Sequence, residues 1–547
     1  MDAILRATTR PPHDCRPANI QSFLSTVGKL EQFAPHRQQE TSGRIVMQRL
    51  DLFPPIIINP FDVLAERISG SGWTLQQVAS THHMVHLGRP LFAAMYDAGN
   101  DKFQETIVNF AKIKLLCSQD EPVLLTEAQS LACIGIRIPL EFKACVPADL
   151  ENERILVAKH LRLLLYAGRG FAGVITSCPS EPLLAEAAYM VLATRRWSNG
   201  EAVEHPREEK SVFLEPMDAL SYHIGHSHLD LGTRGETVAA ILLLAARDRA
   251  TTFPLADGEL PPGTDNIGDN ENRRYDGAQK RRIVTVTQFL RALLAEPYHD
   301  ITPAEYHRPE YSQMRLEAAF NNCFIYFNHF VKAHKFDMVN QTYLQAAISR
   351  GMAFICAENQ GGIDIIIPCL FGTELVREKV SAIMIQVKND RRFKAKVDPT
   401  LFACMDPYRC GVFKSGVKEP PPVLRMVFAL ASGKSSVEAR SRGHHPSTRS
   451  TQTAKFTAYD IWCAGARQST FGVIQQGEED ALDNLLTILR GPHDIERLFK
   501  DVNVVRILQP GLSTGHGHFE QWFDLEDDMV DEEFEVSEPE DAVAGAE

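Results

Sequence analysis

The 547-residue chain has no apolar run approaching the ~18–20 residues that cross a bilayer. Its opening stretch, MDAILRATTRPPHDCRPANI, lacks the apolar segment of a signal peptide. A membrane-spanning or secreted protein is therefore not expected, and an intracellular one, cytoplasmic or nuclear, is. The eleven cysteines include no C-x-x-C pair. Several of them, such as Cys133, Cys323 and Cys356, stand in apolar runs as small hydrophobes do, which argues against a disulfide framework or a zinc ribbon. No G-x-x-x-x-G-K-[ST] loop occurs. Thr26-Val27-Gly28-Lys29-Leu30 and Ser432-Gly433-Lys434-Ser435 each lack the first glycine, and ATP is not an expected ligand.

What is present fits a folded, multi-segment protein. An apolar content of 44% over this length can bury several cores. The net charge of −13 is concentrated at one end, because Asp524 to Glu547 holds twelve acids and no lysine or arginine. Without that tail the chain is close to neutral. A stretch such as EDDMVDEEFEVSEPEDAV cannot bury apolar surface and is expected to be disordered, acting as a solvating tail or as an electrostatic mimic of nucleic acid.

The most informative segment is GGIDIIIPCLFGTELVREKVSAIMIQVKN, residues 361–389. Two β-branched runs, Ile363 to Phe371 and Val380 to Val387, flank a polar stretch, as in a β-hairpin with a longer loop. A fold-back centred near residue 376 sets Asp364 opposite Lys388 and Ile366 opposite Gln386. Side chains alternate with period two, so Asp364, Gln386 and Lys388 converge on one face at one end of the hairpin. An unpaired amide inside the apolar run AIMIQV costs roughly 1–3 kcal/mol, which makes Gln386 conspicuous. The plain alternative is a lysine ending a strand at solvent and an aspartate capping a glycine turn.

Further along the chain, the polar, proline-interrupted residues 1–44 suggest little order. Residues 45–250 read as helix-rich, with helices in LLAEAAYMVLA and GETVAAILLLAARDRA. Residues 253–282 read as a flexible loop. In 283–505, helices in VTVTQFLRALLAE and YLQAAISR precede strands GMAFICAEN, the hairpin, PVLRMVFALA and KFTAYDIWCAG, with a short helix near residues 400–405 and a closing helix in EEDALDNLLTILRG. The fold class is α/β: a helix-rich half followed by a mixed sheet with αβββαβ order.

Asp364 on one strand and Gln386-Val387-Lys388 on the next resemble the signature of the PD-(D/E)XK, or restriction-endonuclease-like, nuclease superfamily, with glutamine at the second acidic position. The resemblance implies that Asp364 and Gln386 hold Mg²⁺ while Lys388 orients a water or stabilises phosphate charge. It also implies a helical glutamate as a further ligand, for which Glu236 in TRGETVAAILLLAARDRA, within a helix near 234–249, is the first candidate and Glu186 the second. Each also fits an ordinary acid in a first helical turn. A closer helix, NQTYLQAAISR, offers only Gln345. The wider pattern, from GRPLFAAMYDAG through YDIWCAG, resembles fungal proteins related to the Crinkler-type architecture, an ATPase domain followed by a nuclease domain. That likeness implies a degenerate P-loop ATPase remnant in the helical half and a nucleic acid partner.

Basic residues Arg391, Arg392, Lys394 and Lys396 follow Lys388 and are expected to contact phosphates. Arg273, Arg274, Lys280, Arg281 and Arg282 read as phosphate contacts or a solvated loop, and Lys280-Arg281-Arg282 also as a localisation signal. His223-Ile224-Gly225-His226 spells the HIGH motif of class I aminoacyl-tRNA synthetases without the partners that motif needs; His223, His226 and His228 read as loop histidines. His82, His83 and His86 are expected at solvent, since no H-E-x-x-H accompanies them.

Overall fold

The computed structural model describes most of residues 61–487; the longer stretches outside the description are 141–146, 168–173, 198–213, 227–230, 254–281 and 441–454. The expectations for residues 1–44, for nearly all of the 253–282 loop and for the acidic tail 524–547 fall outside the described residues. The described residues through Leu486 belong to one compact unit.

Its first part is helical: α1 (Leu75–Val78), α2 (Thr81–Val85), α3 (Pro90–Ala98), α4 (Asp101–Glu105), α5 (Ile107–Leu116), α6 (Glu127–Arg137) and α7 (Pro147–Lys159). A short antiparallel pair, β1 (Leu163–Ala167) and β2 (Val174–Ser177), precedes α8 (Pro182–Trp197), α9 (Leu214–His226) and α10 (Leu231–Ala250). The apolar run NERILVAKHLRLLLYAG divides into the end of α7 and strand β1. Local chemistry sets several starts. In α6 the Thr126 hydroxyl accepts from the Gln129 amide while the Gln129 side chain reaches back, a capping box that satisfies two orphan donors.

The second part alternates strands and helices: β3 (Val284–Thr285), α11 (Val286–Leu293), α12 (Leu316–Ala319), β4 (Cys323–Ile325), β5 (His329–Lys332), α13 (Gln341–Arg350) and β6 (Met352–Ile355). Then come β7 (Ile365–Phe371), β8 (Val380–Lys388), α14 (Pro399–Cys404), β9 (Val423–Ala429), β10 (Ser436–Arg440), β11 (Ala458–Ala464) and α15 (Glu479–Thr487). The order from α13 to β9 is helix, three strands, helix, strand. Asn340 starts α13 by accepting the amides of Thr342 and Tyr343, and Gly351, at φ +64°, ends it in a conformation that glycine adopts without strain.

Strands β3 to β11 form one mixed sheet with the order β10-β11-β9-β8-β7-β4-β3. The free edge of β7 is shared: Ile365 and Ile366 pair with β6, Leu370 and Phe371 with β4. β7 is antiparallel to β6 and β8, whereas β8, β9 and β11 run parallel. Both faces are covered, which is why β7 and β8 read as unbroken apolar runs. One face, carrying Ile365, Ile367, Ile383, Ile385 and Met426, shares a core with helices α5 to α11. The other, with Ile366, Met384, Val427 and Trp462, packs against α13 and the loops around α14. Among the described residues the helices α5 to α10 and the sheet thus share one core.

A buried charged cluster knits that junction. Arg137 of α6 forks onto Asp248 of α10 at 2.6 and 2.8 Å. Arg282 donates to Glu186 of α8 at 3.0 Å, and Arg247 lies 3.8 Å from the same carboxylate. Burial alone raises a carboxyl, but the Arg282 and Arg247 guanidiniums outweigh it and hold Glu186 below its ordinary range. Two expectations are corrected here. Arg282 is buried and paired, not part of a solvated loop or an exposed signal, and Glu186 is committed to arginines. Both follow from the same cause, since a buried ion needs a counter-ion.

The histidine expectations change too. His82 is exposed, but His83 and His86 are buried, with His83 Nε2 2.9 Å from the Ser349 carbonyl and His86 Nε2 3.2 Å from Asp97. His223 lies inside α9 and is buried, not in a loop, while His228 falls outside the described residues.

Candidate functional site at the end of the central hairpin

The β7–β8 register pairs Ile365 with Ile385 and Ile366 with Met384. The pairing ends at Ile365, so Asp364 lies just before β7 and the sequence-derived pairing of Asp364 with Lys388 is not formed; the register is two residues off because the turn is centred one residue earlier. A shift of two keeps parity along β8, so Gln386 and Lys388 share the face of Met384.

Main-chain pairing runs out at Asp364. Its amide donates to the Ile385 carbonyl at 2.9 Å, and its carbonyl accepts from Cys356 at 2.7 Å. Its carboxylate then takes over, with Oδ2 accepting the Val387 amide at 2.6 Å. The aspartate is thereby held rigidly, one oxygen engaged. Burial pushes its carboxyl up to about 6, against the Val387 hydrogen bond and the Lys388 charge, which both pull it down.

Gln386 is 7% exposed, and its Oε1 has no hydrogen-bond partner. An orphaned buried acceptor is uncommon and costs on the order of 1–3 kcal/mol. Lys388, half-buried, places its ammonium 5.5 Å from the centre of the Phe393 ring, and its carbonyl accepts from Leu430 at 3.0 Å.

Val387 and Asn389 face the other way and meet α10. The Asn389 amide donates to the Leu231 carbonyl at 2.9 Å and to that of Leu486 at 3.2 Å, bolting the starts of α10 and the end of α15 to the tail of β8. Gly235 makes the close approach possible: a Cβ there would lie 2.9 Å from Asn389 Cβ and 3.2 Å from Val387 Cγ1. Glu236, half-buried, follows directly and is carried to the same end of the sheet despite the 100-odd residues inserted before β6. Burial raises the Cys356 thiol well above its ordinary range, with the charges of Asp364, Cys410 and Glu236 adding to the effect, so both acids lie near that thiol. Gln345, by contrast, donates to the Leu375 carbonyl at the opposite, loop end of the hairpin.

The four basic residues after Lys388 are all exposed. Arg392 pairs with Asp390 at 2.9 Å. Asn389 and Cys356 were not foreseen as part of this end of the sheet. The adjacency of Asn389 to the Q-x-K run was the one available signal; Cys356 had none, since its place depends on β6 pairing.

Asp364 and Gln386 Oε1 at this end of the hairpin, and Glu236 on α10, which packs against the other face of β8, are hard oxygen donors of the kind that suit Mg²⁺. Only two of them are acids, and among the described residues no group of three His, Cys, Asp or Glu side chains is gathered for a metal ion. What this end of the hairpin offers is the Gln386 oxygen, buried and without a hydrogen-bond partner among the described residues, and an Asp364 carboxylate whose Oδ2 is taken by the Val387 amide.

Two other polar clusters lie elsewhere. On β9, buried Arg425 forks onto Asp460 at 2.7 and 2.9 Å and reaches Glu305 at 2.8 Å. Farther away, His329 Nε2 lies 2.7 Å from the Ser180 hydroxyl and its Nδ1 2.8 Å from Asn328 Oδ1, a Ser–His–Asn order. Burial, aided by Arg350 and Arg137, drops that imidazole to about 3, far too weak a base for a serine at neutral pH. Arg350 already donates to the same hydroxyl at 2.9 Å, and the chain ties the segment before α8 to β5.

Among the described residues no helix is long and apolar enough to cross a membrane. Compared with known protein families, curated proteins and solved structures, the chain finds no match in any of the three.

Proposed function

We propose that the end of the β7–β8 hairpin is a divalent-metal-dependent phosphodiester site of the PD-(D/E)XK type, acting on DNA or RNA. The observation that carries this reading is the buried Gln386 oxygen left without a hydrogen-bond partner among the described residues, two residues before Lys388 on β8, with Asp364 held at the same end of the hairpin by the Val387 amide. Asp364, Gln386 and Glu236 would hold Mg²⁺, which supplies Lewis-acid stabilisation of phosphate charge when bound. Lys388 sits where its ammonium can orient a water or meet the phosphate, and the aromatic ring of Phe393 keeps it extended. Asp364, held by the Val387 amide, cannot swing away from the site.

The helical half enters as the scaffold that delivers α10 and Glu236. Its described strands, an antiparallel pair, add no support for a nucleotide-binding origin. A second reading, an interaction protein that keeps the fold without catalysis, is favoured by the neutral glutamine in place of a second strand acid. Incubating the protein with labelled DNA and RNA in Mg²⁺ or Mn²⁺ separates the two. Cleavage lost on Asp364→Ala and Lys388→Ala supports the phosphodiesterase, and no cleavage by wild type under either metal favours the interaction protein.

A further inference from the structure

We propose that residues 390–397 form a fixed basic rail that carries an extended nucleic acid backbone from the Asp364 site across β11 and β10. This rests on reading that site as acting on phosphodiesters, and it names the substrate as a polymer, not a mononucleotide or a small phosphate ester.

The segment Asp390-Arg391-Arg392-Phe393-Lys394-Ala395-Lys396-Val397 alternates over most of its length. Phe393, Ala395 and Val397 pack against the core on the Met384 face, while Arg391, Arg392, Lys394 and Lys396 are exposed. The chain turns at Arg391–Arg392 and bends again at Phe393, Ala395 and Lys396, and its apolar side chains hold this irregular path down on the sheet with the cations outward. The backbone is also pinned along its length. At its start the Asp390 carboxylate accepts the Arg392 amide at 2.8 Å, and the Phe393 amide donates to the Asp390 carbonyl at 3.1 Å. In the middle the Trp462 indole of β11 donates to the Lys394 carbonyl at 3.1 Å, and the Ser436 hydroxyl of β10 donates to that of Ala395 at 3.0 Å. At its end Asp398 caps α14 through the Thr400 amide at 2.9 Å.

These anchors fix a direction. The rail begins at Lys388, whose ammonium lies over the Phe393 ring, and heads over β11 toward the edge strand β10. Exposed Lys434, in the turn before β10, adds a cation at that edge. The acids nearby are Asp390, engaged by Arg392, Asp398, engaged as a cap, and exposed Glu438, so cations remain in excess. From β8, where Lys388 ends the strand, to the edge strand β10 the sheet crosses three interstrand steps, about 14 Å at ~4.8 Å each, a path long enough to meet more than one phosphate of a backbone laid along it. A solvated charged loop needs no such pinning, and a mononucleotide needs no such length.

The test is binding of a labelled duplex and its single strands, DNA and RNA, in Ca²⁺ or in chelator, read by fluorescence anisotropy over a range of salt. The comparison is between wild type, Asp364→Asn, and the combined variant Arg391→Ala, Arg392→Ala, Lys394→Ala and Lys396→Ala. All four side chains of the combined variant are exposed, so its thermal unfolding should match wild type. Neutralising four phosphates gives a slope of log K against log salt of about −3.6 for duplex and about −2.8 for single strands, and the combined variant should lose that much of the wild-type slope. Asp364→Asn should keep the full slope, so failure of the metal site leaves this result intact. Equal slopes in wild type and the combined variant overturn the rail. Binding of heparin without binding of any nucleic acid overturns it as well.

Discussion

Replacing Asp364 by asparagine should make the protein more stable at neutral pH. The carboxyl ionises near 3.8 in an unfolded chain and at about 6 in the fold, chiefly because burial penalises its charged form. Between those values the unfolded chain has released its proton and the native state has not, so stability falls as pH rises through the window and levels off above it. The gap corresponds to ~3 kcal/mol at most, and residual contact with solvent brings it to roughly 2. Asparagine is neutral, nearly isosteric, and still offers an oxygen to the Val387 amide, whose 2.6 Å bond it can keep. Urea unfolding at pH 7.5 should therefore show Asp364→Asn more stable by about 2 kcal/mol, with the difference vanishing below about pH 4. A group kept ionised at a cost to the fold is what a working site requires, and a merely structural aspartate predicts the opposite. Loss of stability in the asparagine variant at pH 7.5 would refute this reasoning.

Gln386→Glu places a second carboxylate at the Asp364 end of the hairpin in a buried position, and in chelator it should lose several kcal/mol of stability. Saturating Mg²⁺ should restore ~3 kcal/mol or more at a hundredfold excess over Kd, as melting curves with and without metal would show; no recovery argues for a purely structural amide. Lys388→Ala should abolish cleavage while shifting the melting temperature little, since its ammonium is half-exposed; retained cleavage in Mg²⁺ contradicts its role. Gly235→Ala should cost about 1–3 kcal/mol and lower activity without touching a charged group, because its Cβ pushes α10 off Val387 and Asn389. An unchanged melting temperature would show that the close approach is not needed. Asp460→Asn takes from buried Arg425 the fully buried carboxylate of its ion pairs and leaves it Glu305, so it should destabilise by about 3 kcal/mol, measured by denaturant unfolding at neutral pH.

The strands that carry the site were legible because they are buried on both faces and rich in isoleucine and valine: β7 and β8 fall within two residues of the expected runs. Helices α10, α11 and α13 were equally plain from their periodic apolar residues. Strands β4 and β5 were not, because three or four residues in NCFIYFNHFVK carry too short a pattern to separate from a loop. β10 was hidden for another reason, as an edge strand with the exposed sequence SVEAR that burial does not pattern. At the site, face alternation put Gln386 and Lys388 on one face of β8 even though the register was off by two. The orphaned state of Gln386 and the docking of Gly235 on Val387 depend on contacts far apart in sequence, which local pattern cannot reach. The buried pairing of Arg282 with Glu186 belongs to the same class: a basic run reads as solvated unless its counter-ion, ninety-six residues away, is known to meet it.

Calorimetric titration of Mn²⁺ and Mg²⁺ into the full chain, repeated with Asp364→Ala, tests the account at its centre. The site reading predicts saturable binding by the wild type that Asp364→Ala removes or weakens at least tenfold, with the variant's fold verified by circular dichroism. A metal signal of unchanged affinity and stoichiometry in Asp364→Ala would contradict it, because the aspartate could not then be a ligand.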